Sequence, residues 1–242
     1  MFYVGTKRSA GCRGMRKPKG DRPGRWGEIS ALTRQSRLIA LGPFRSRTPL
    51  VGPRVVLFVH GFLATGEVLR PLALAVEKEC RVPVATFPSP IYAMSFRKLV
   101  ERLEGFVDQH VPRDAEVSLV GHSMGGLVCR WYAQECDRVG RVDRVITLAT
   151  PHAGTSLARF APASLRAALD PRGETIRQLH LGRSKVEGLP HVNIAAGRDM
   201  LVRPRSSALA LEGASSTELE GVGHNELLYS QRTRQLVIDA LR

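Results

Sequence analysis

Near the middle of the chain, Gly121-His122-Ser123-Met124-Gly125 sets a serine between two glycines at the spacing G-x-S-x-G. A hydroxyl held in such a turn can attack an acyl carbon if an imidazole removes its proton and a carboxylate orients that imidazole. The same chemistry needs two N–H donors aimed at the point where the oxyanion forms. Glycine makes up about 7% of average sequence, so the pattern alone arises by chance in roughly one chain in ten of this length. The flanking residues therefore carry more weight than the pattern itself.

Those flanks read as a strand and a helix. Val117–Val120 is a short apolar run with two β-branched residues, and Leu127, Val128, Trp131 and Tyr132 follow at helical spacing. Strand, G-x-S-x-G and helix together make the nucleophile-elbow pattern. The serine is cramped there, so small residues are required at 121 and 125, and Gly126 adds clearance. Further strands are expected at Val55–Val59, Val82–Phe87, Val145–Leu148, Val192–Ala195 and Ser216–Leu219. Helices fit between them at Glu67–Glu79, Ser95–His110, Met124–Glu135 and Glu226–Leu241. Apolar, non-alternating strands separated by helices predict an α/β fold with a mostly parallel sheet of about six strands, covered on both faces.

Among seven histidines, His224 has the strongest claim to be the base, because GVGHNELL follows the last expected strand and precedes the last helix. A loop there shares the C-terminal edge of the sheet with Ser123. Asp199, directly after the Val192–Ala195 strand, is the expected acid, with Asp143 and Asp170 as competitors. Asp143 precedes its strand and would lie at the opposite edge; Asp170 falls in an irregular stretch. The order Ser123, Asp199, His224 follows. The oxyanion donors expected are the N–H of Met124 and one from the turn VVLFVHGFLATG, most naturally Phe62, with Leu63 the alternative. His122, beside the nucleophile, is expected to point away from it, and His60 to open the HGF turn. His152 follows the Val145–Leu148 strand and is expected at the pocket wall, with packing as the alternative. Leu63, Ile91 and Tyr92, with Phe62, Pro90, Met94 and Met124, would give the pocket an apolar lining.

The blocks FVHGF, GHSMGGLVCRWYA, LATPHAGT, AGRDMLV and GVGHNELLYS, in this order, resemble the α/β-hydrolase superfamily in its esterase and triacylglycerol-lipase-like branch. Thr150 to Thr155 is similar to the TPH-x-GT signature of lipases. The resemblance covers about Val55 to Arg242 and implies a serine hydrolase of carboxylic esters acting through an acyl-enzyme without metal or cofactor; the apolar residues expected around Ser123 add a preference for hydrophobic acyl groups. A thioesterase or acyltransferase on the same triad is the alternative, and a non-catalytic binding module a further one. The pair of strands that usually leads into HGF has no clear counterpart in this chain.

Composition bounds the rest. A length of 242 residues fits one domain with an ample core. The net charge of +14 is concentrated in residues 1–54, which hold 13 Lys/Arg against 2 Asp/Glu, while the remainder has 23 against 20. The expectation is a basic N-terminal extension, 1–54, with residues 1–28 flexible and a short helix at Ile29–Leu41, followed by a hydrolase domain, 55–242. The extension could touch an anionic surface weakly; no obligate nucleic-acid partner is expected, since Trp26 alone makes no stacking platform. Residues 151–190, broken by Pro162, Pro171 and Gly173, are expected to form a small helical cap. The substrate partner is a small-molecule or lipid ester, and nothing in the sequence speaks to oligomeric state. With no apolar leader and no long apolar run, the chain reads as cytoplasmic.

Overall fold

The computed structural model describes residues 25–40, 50–62, 64–89 and 95–242. Six strands form one parallel sheet: β1 (Arg54–Val59), β2 (Val84–Thr86), β3 (Glu116–His122), β4 (Val142–Leu148), β5 (His191–Ala196) and β6 (Ser215–Leu219). Their order across the sheet is β2-β1-β3-β4-β5-β6. The chain runs from β1 outward to β2, then returns past β1 to β3 and continues the other way. The C-terminal ends of β1 and β3 therefore flank a topological switch point, where connections diverge and leave a crevice. Val59 pairs with Gly121 across that point. The turns after β1 and β3 thus start level with one another.

The strands alternate between two cores, as a sheet covered on both faces requires. Val55, Leu57 and Val59 pack on one side with α3 (Phe96–His110) and α4 (Met124–Trp131). Val56 and Phe58 pack on the other with α2 (Arg70–Cys80) and α7 (Gln231–Leu241). Ser95 caps α3 by accepting from the Lys98 amide, and Ser230 caps α7 by accepting from Arg232 and Thr233. The Ser230 cap splits the helix expected over Glu226–Leu241 into a 3-10 turn, Glu226–Tyr229, and α7 proper. Likewise α4 ends at Trp131 and continues as a π turn, Tyr132–Cys136.

Between β4 and β5, residues 151–190 hold a 3-10 turn at Ser156–Phe160, α5 (Ala163–Leu169), α6 (Glu174–Leu181) and a second turn at Gly182–Val186. Leu165, Ala168, Ile176 and Leu179 of this segment are buried in the α3/α4 core. Its first part leans instead over the crevice. The basic leader contains α1 (Arg25–Ala40), which begins earlier than the Ile29–Leu41 expected and lies against the turns Gly66–Leu69 and Glu226–Tyr229. Residues 1–24, read above as flexible, fall outside the described residues. Among the described residues no strand precedes β1, and no helix is long and apolar enough to cross a membrane.

Candidate active site

Ser123 follows β3 directly and adopts φ 54°, ψ −126°, a left-handed conformation that costs a non-glycine residue roughly 1–3 kcal/mol. Packing holds it there. A Cβ on Gly121 would stand 2.5 Å from the Gly126 Cα, and one on Gly125 would run into the carbonyls of Val59 and His60. A Cβ on Gly126 would run into Thr150. The helix that follows therefore presses against the sheet, and Ser123 is lifted above it, half-buried and at the mouth of a cavity. As the first residue of α4, Met124 has a backbone N–H with no intrahelical partner. Across the switch point, a Cβ on Gly61 would lie 2.9 Å from the Ser123 Cβ. Only a glycine lets the β1 turn come this close, which brings the backbone at Phe62 beside the serine.

Asp199 lies in the turn after β5, and His224 in the loop after β6. The Nδ1–H of His224 donates to Asp199 Oδ2 at 2.7 Å. The other carboxylate oxygen accepts from the amides of Leu201 and Val202, each at 2.8 Å. Asp199 is 1% exposed and His224 3%. Burial by itself would push the Asp199 carboxyl up, but the hydrogen bond and attraction from His224, with the Val202 and Leu201 amides, outweigh it and hold the group below its ordinary value. With Nδ1 committed, Nε2 is the nitrogen left to the cavity that Ser123 also lines. Among the described hydrogen bonds none joins Ser123 to His224 directly, a looseness common before substrate is bound.

The three side chains thus come from three strand ends to one rim. The loop bearing Asp199 is braced by the Thr150–Thr155 block. Thr155 Oγ1 donates to the Leu201 carbonyl at 2.9 Å and accepts from the Arg203 amide at 3.0 Å, and Ser207 Oγ donates to the Gly154 carbonyl at 2.5 Å. The competing acids lie elsewhere. Asp143 accepts from Ser118 at the start of β4, and Asp170 accepts from the Arg172 amide after α5.

Other expected residues fall differently. His152 is not at the pocket wall; it is fully buried behind it. Its Nδ1 accepts from Arg130 at 3.1 Å, and its Nε2 donates to Asn193 at 2.6 Å, with Thr147 beside it. Burial, reinforced by the Arg130 charge, keeps the ring well below its ordinary pKa and so neutral. Leu63, Ile91 and Tyr92, together with Pro90 and Met94, lie outside the described residues. His60 is buried in the β1 turn, donating from Nδ1 to the Gly61 carbonyl and accepting from Ser89 at Nε2, 2.7 Å. Its pKa is lowered, chiefly by burial.

Two contributions escaped the sequence reading. His122, expected to point away from Ser123, lines the same cavity, and the His224 loop packs against it. The two rings lie 4.9 Å apart, and His122 Nε2 donates to the His224 carbonyl at 3.2 Å. Its pKa falls to about 3, chiefly through burial and then through the neighbouring His224. The second is α1, whose Leu32 and Gln35 line the same cavity as Ser123. That cavity holds about 450 Å³, within the range of small-molecule sites, and much of its wall is apolar: Phe62, Met124, Leu157, Phe160 and Leu169.

Comparison with known proteins agrees with this architecture. Residues 55–185 match the family described as palmitoyl protein thioesterase, a span that includes Ser123, Phe62 and Met124 but ends before Asp199 and His224. Among solved structures, a gene product of Listeria innocua superposes with a TM-score of 0.62 at 15% identity, covering 79% of this chain and 94% of that one. A lipase of Bacillus licheniformis, BlEst2 in its mature form, superposes at 0.55 with 17% identity, covering 82% and 96%. The RedJ thioesterase of the prodiginine pathway of Streptomyces coelicolor does so at 0.54 with 16% identity, covering 83% and 93%. At these identities the likeness establishes a shared α/β-hydrolase fold.

Proposed function

The chain belongs to the palmitoyl protein thioesterase family, a hydrolase of the ester and thioester type, and from that premise we propose that it cleaves carboxylic esters of hydrophobic acyl groups through a serine acyl-enzyme. The observation that carries this reading is the Asp199–His224 hydrogen bond at 2.7 Å beside a cavity that Ser123 shares. In the proposed mechanism His224 Nε2 takes the Ser123 proton as Oγ attacks the acyl carbon. The carbonyl π electrons move to oxygen, and the amides of Met124 and Phe62 hold the resulting oxyanion. Asp199 keeps the imidazole in the Nδ1–H tautomer and stabilises the imidazolium. His224 then gives its proton to the departing alcohol oxygen as the acyl–oxygen bond breaks. Water, deprotonated by the same nitrogen, attacks the acyl-enzyme; the released acid leaves and the proton returns to Ser123.

The cavity's apolar wall favours a hydrophobic acyl group over a charged one. A second reading, favoured by the family match, is that the leaving group is a thiol and the substrate an acyl thioester. One preparation assayed on matched oxoesters and thioesters separates the two. Ser123→Ala is expected to lower turnover by several powers of ten on either and to abolish labelling by a fluorophosphonate. Turnover or labelling that survives the change refutes the assignment.

A further inference from the structure

Helix α1 is the least expected part of the cavity. It lies in the basic leader, yet it is interlocked with the loop that bears His224. The Glu28 carboxylate accepts from the Asn225 amide at 3.1 Å, from Asn225 Nδ2 at 2.6 Å and from the Glu226 amide at 3.2 Å. Gln35 Nε2 donates to Asn225 Oδ1 at 2.9 Å. The fit is close on both sides: a Cβ on Gly223 would run into the Glu28 carboxylate, and one on Gly27 into that of Glu226. The glycine before His224 and the asparagine after it are thus both committed to α1. Arg34 adds a cation–π contact over the Tyr229 ring at 4.8 Å.

Glu28, Leu32 and Gln35 follow one another at i, i+4 and i+7, a single stripe of the helix. The polar ends of that stripe grip the His224 loop, and its middle residue, Leu32, lines the cavity. Leu32 is 48% exposed, and across the same cavity Phe160 is 74% exposed. A leucine so placed contributes little to the core. Part of its surface lines the cavity and can meet whatever fills it.

We propose that α1 is the wall that gauges the acyl chain: Leu32 meets the chain, and Glu28 is a positioning residue that seats the helix at the right distance. This inference rests on the acyl-hydrolase reading of the cavity. An acyl methylene buried against Leu32 is worth about fourfold in kcat/KM. Leu32→Trp fills space and should lower the palmitate-to-butyrate preference of an aryl-ester series by roughly fifteenfold, the equivalent of two methylenes. Leu32→Ala should raise it. Glu28→Ala, by letting the helix move out, should shift the preference in the direction of Leu32→Ala.

The test is the full-length protein and these three variants on aryl esters from acetate to palmitate, with a thermal melt on each. A preference that stays within twofold of the wild type in both Leu32 variants overturns the proposal. A loss of equal size at every chain length in Glu28→Ala assigns that residue a merely structural role and overturns its part. A second readout needs no turnover: displacement of a fluorescent fatty-acid analogue by free acids of rising length, measured on Ser123→Ala protein with and without the Leu32 changes. If the wild type hydrolyses no ester or thioester but the displacement order moves with residue 32, the proposed reaction fails and the gauge stands. If esters are cleaved and neither readout moves, only the gauge fails. Failure to bind any acid of the series overturns it as well.

Discussion

Replacing Asp199 with asparagine tests the proposed triad at its most determinate point. In the native arrangement one carboxylate oxygen accepts two backbone amides, from Leu201 and Val202, and the other accepts from His224 Nδ1. Asparagine has one acceptor oxygen and one NH₂ group for these two positions. Turning the NH₂ toward the amides would leave two donors unmet at a buried site, at about 1–3 kcal/mol each. The oxygen therefore stays with the amides and the NH₂ faces His224, whose Nδ1 must then be bare and whose proton must sit on Nε2. That nitrogen can no longer accept from Ser123. A preference of about 2 kcal/mol for the wrong tautomer already leaves only about one molecule in thirty competent. Loss of the carboxylate that stabilises the imidazolium brings the total toward about 10⁴ in kcat, or roughly 5.5 kcal/mol. The assay is turnover of a short-chain aryl ester by Asp199→Asn, with circular dichroism and a thermal melt to show that the fold survives. A kcat within thirtyfold of the wild type would refute the claim that Asp199 sets the tautomer of His224.

Two further outcomes concern stability. Arg130 is fully buried, and among the described residues no carboxylate lies within ion-pair distance of it. Its guanidinium donates to His152 and to the Leu179 carbonyl, and burial, with the nearby Arg183 charge, lowers its pKa to about 10. Arg130→Ala should cost about 3 kcal/mol, near 6–12 °C in Tm, and Arg130→Met clearly less because it refills the space; equal losses in calorimetry would contradict this. The second outcome is a pH dependence. His122 and His191 titrate at about 3 and about 4, and His152 well below its ordinary value, in each case chiefly through burial. Folded, they stay neutral where the unfolded chain binds protons, so stability is full above about pH 6.5 and declines as pH falls toward the folded values. Each contributes about 1.4 kcal/mol per pH unit across that window. A Tm that stays flat from pH 7 to 5 would overturn the assignment of neutral, buried rings.

The fold was legible because local and global signals coincide. Val55–Val59 is apolar on both faces and Val145–Leu148 nearly so, and such short β-branched runs between helices suit covered parallel strands. The elbow was legible for a related reason: Gly121, Gly125 and Gly126 each face backbone or side-chain atoms with no space for a Cβ. Asp199 and His224 could be placed by strand ends alone. His152 could not, since a buried ring and a pocket ring look alike in sequence; Arg130, Thr147 and Asn193, which decide between them, lie on three other elements. The contact of His122 with the His224 loop could not be read, because strand alternation does not say which later loop packs against a side chain. The role of α1 was hidden most deeply. Glu28 and Asn225 are 197 residues apart, and the charge of the leader drew attention to solvent when the informative residues were one glutamate, one leucine and one glutamine.

That same distance shapes how the protein is made. A ribosome delivers α1 long before it delivers the loop that α1 grips, so of its two neighbouring turns only Gly66–Leu69 is at hand while the chain as far as Asn225 is synthesised. At 16 residues and with a weakly apolar face, the helix is marginal alone in water. The grip of α1 on that loop therefore waits for the end of the chain, and a nascent chain interrupted before His224 would carry Ser123 without the proposed base and without the Glu28–Asn225 contacts.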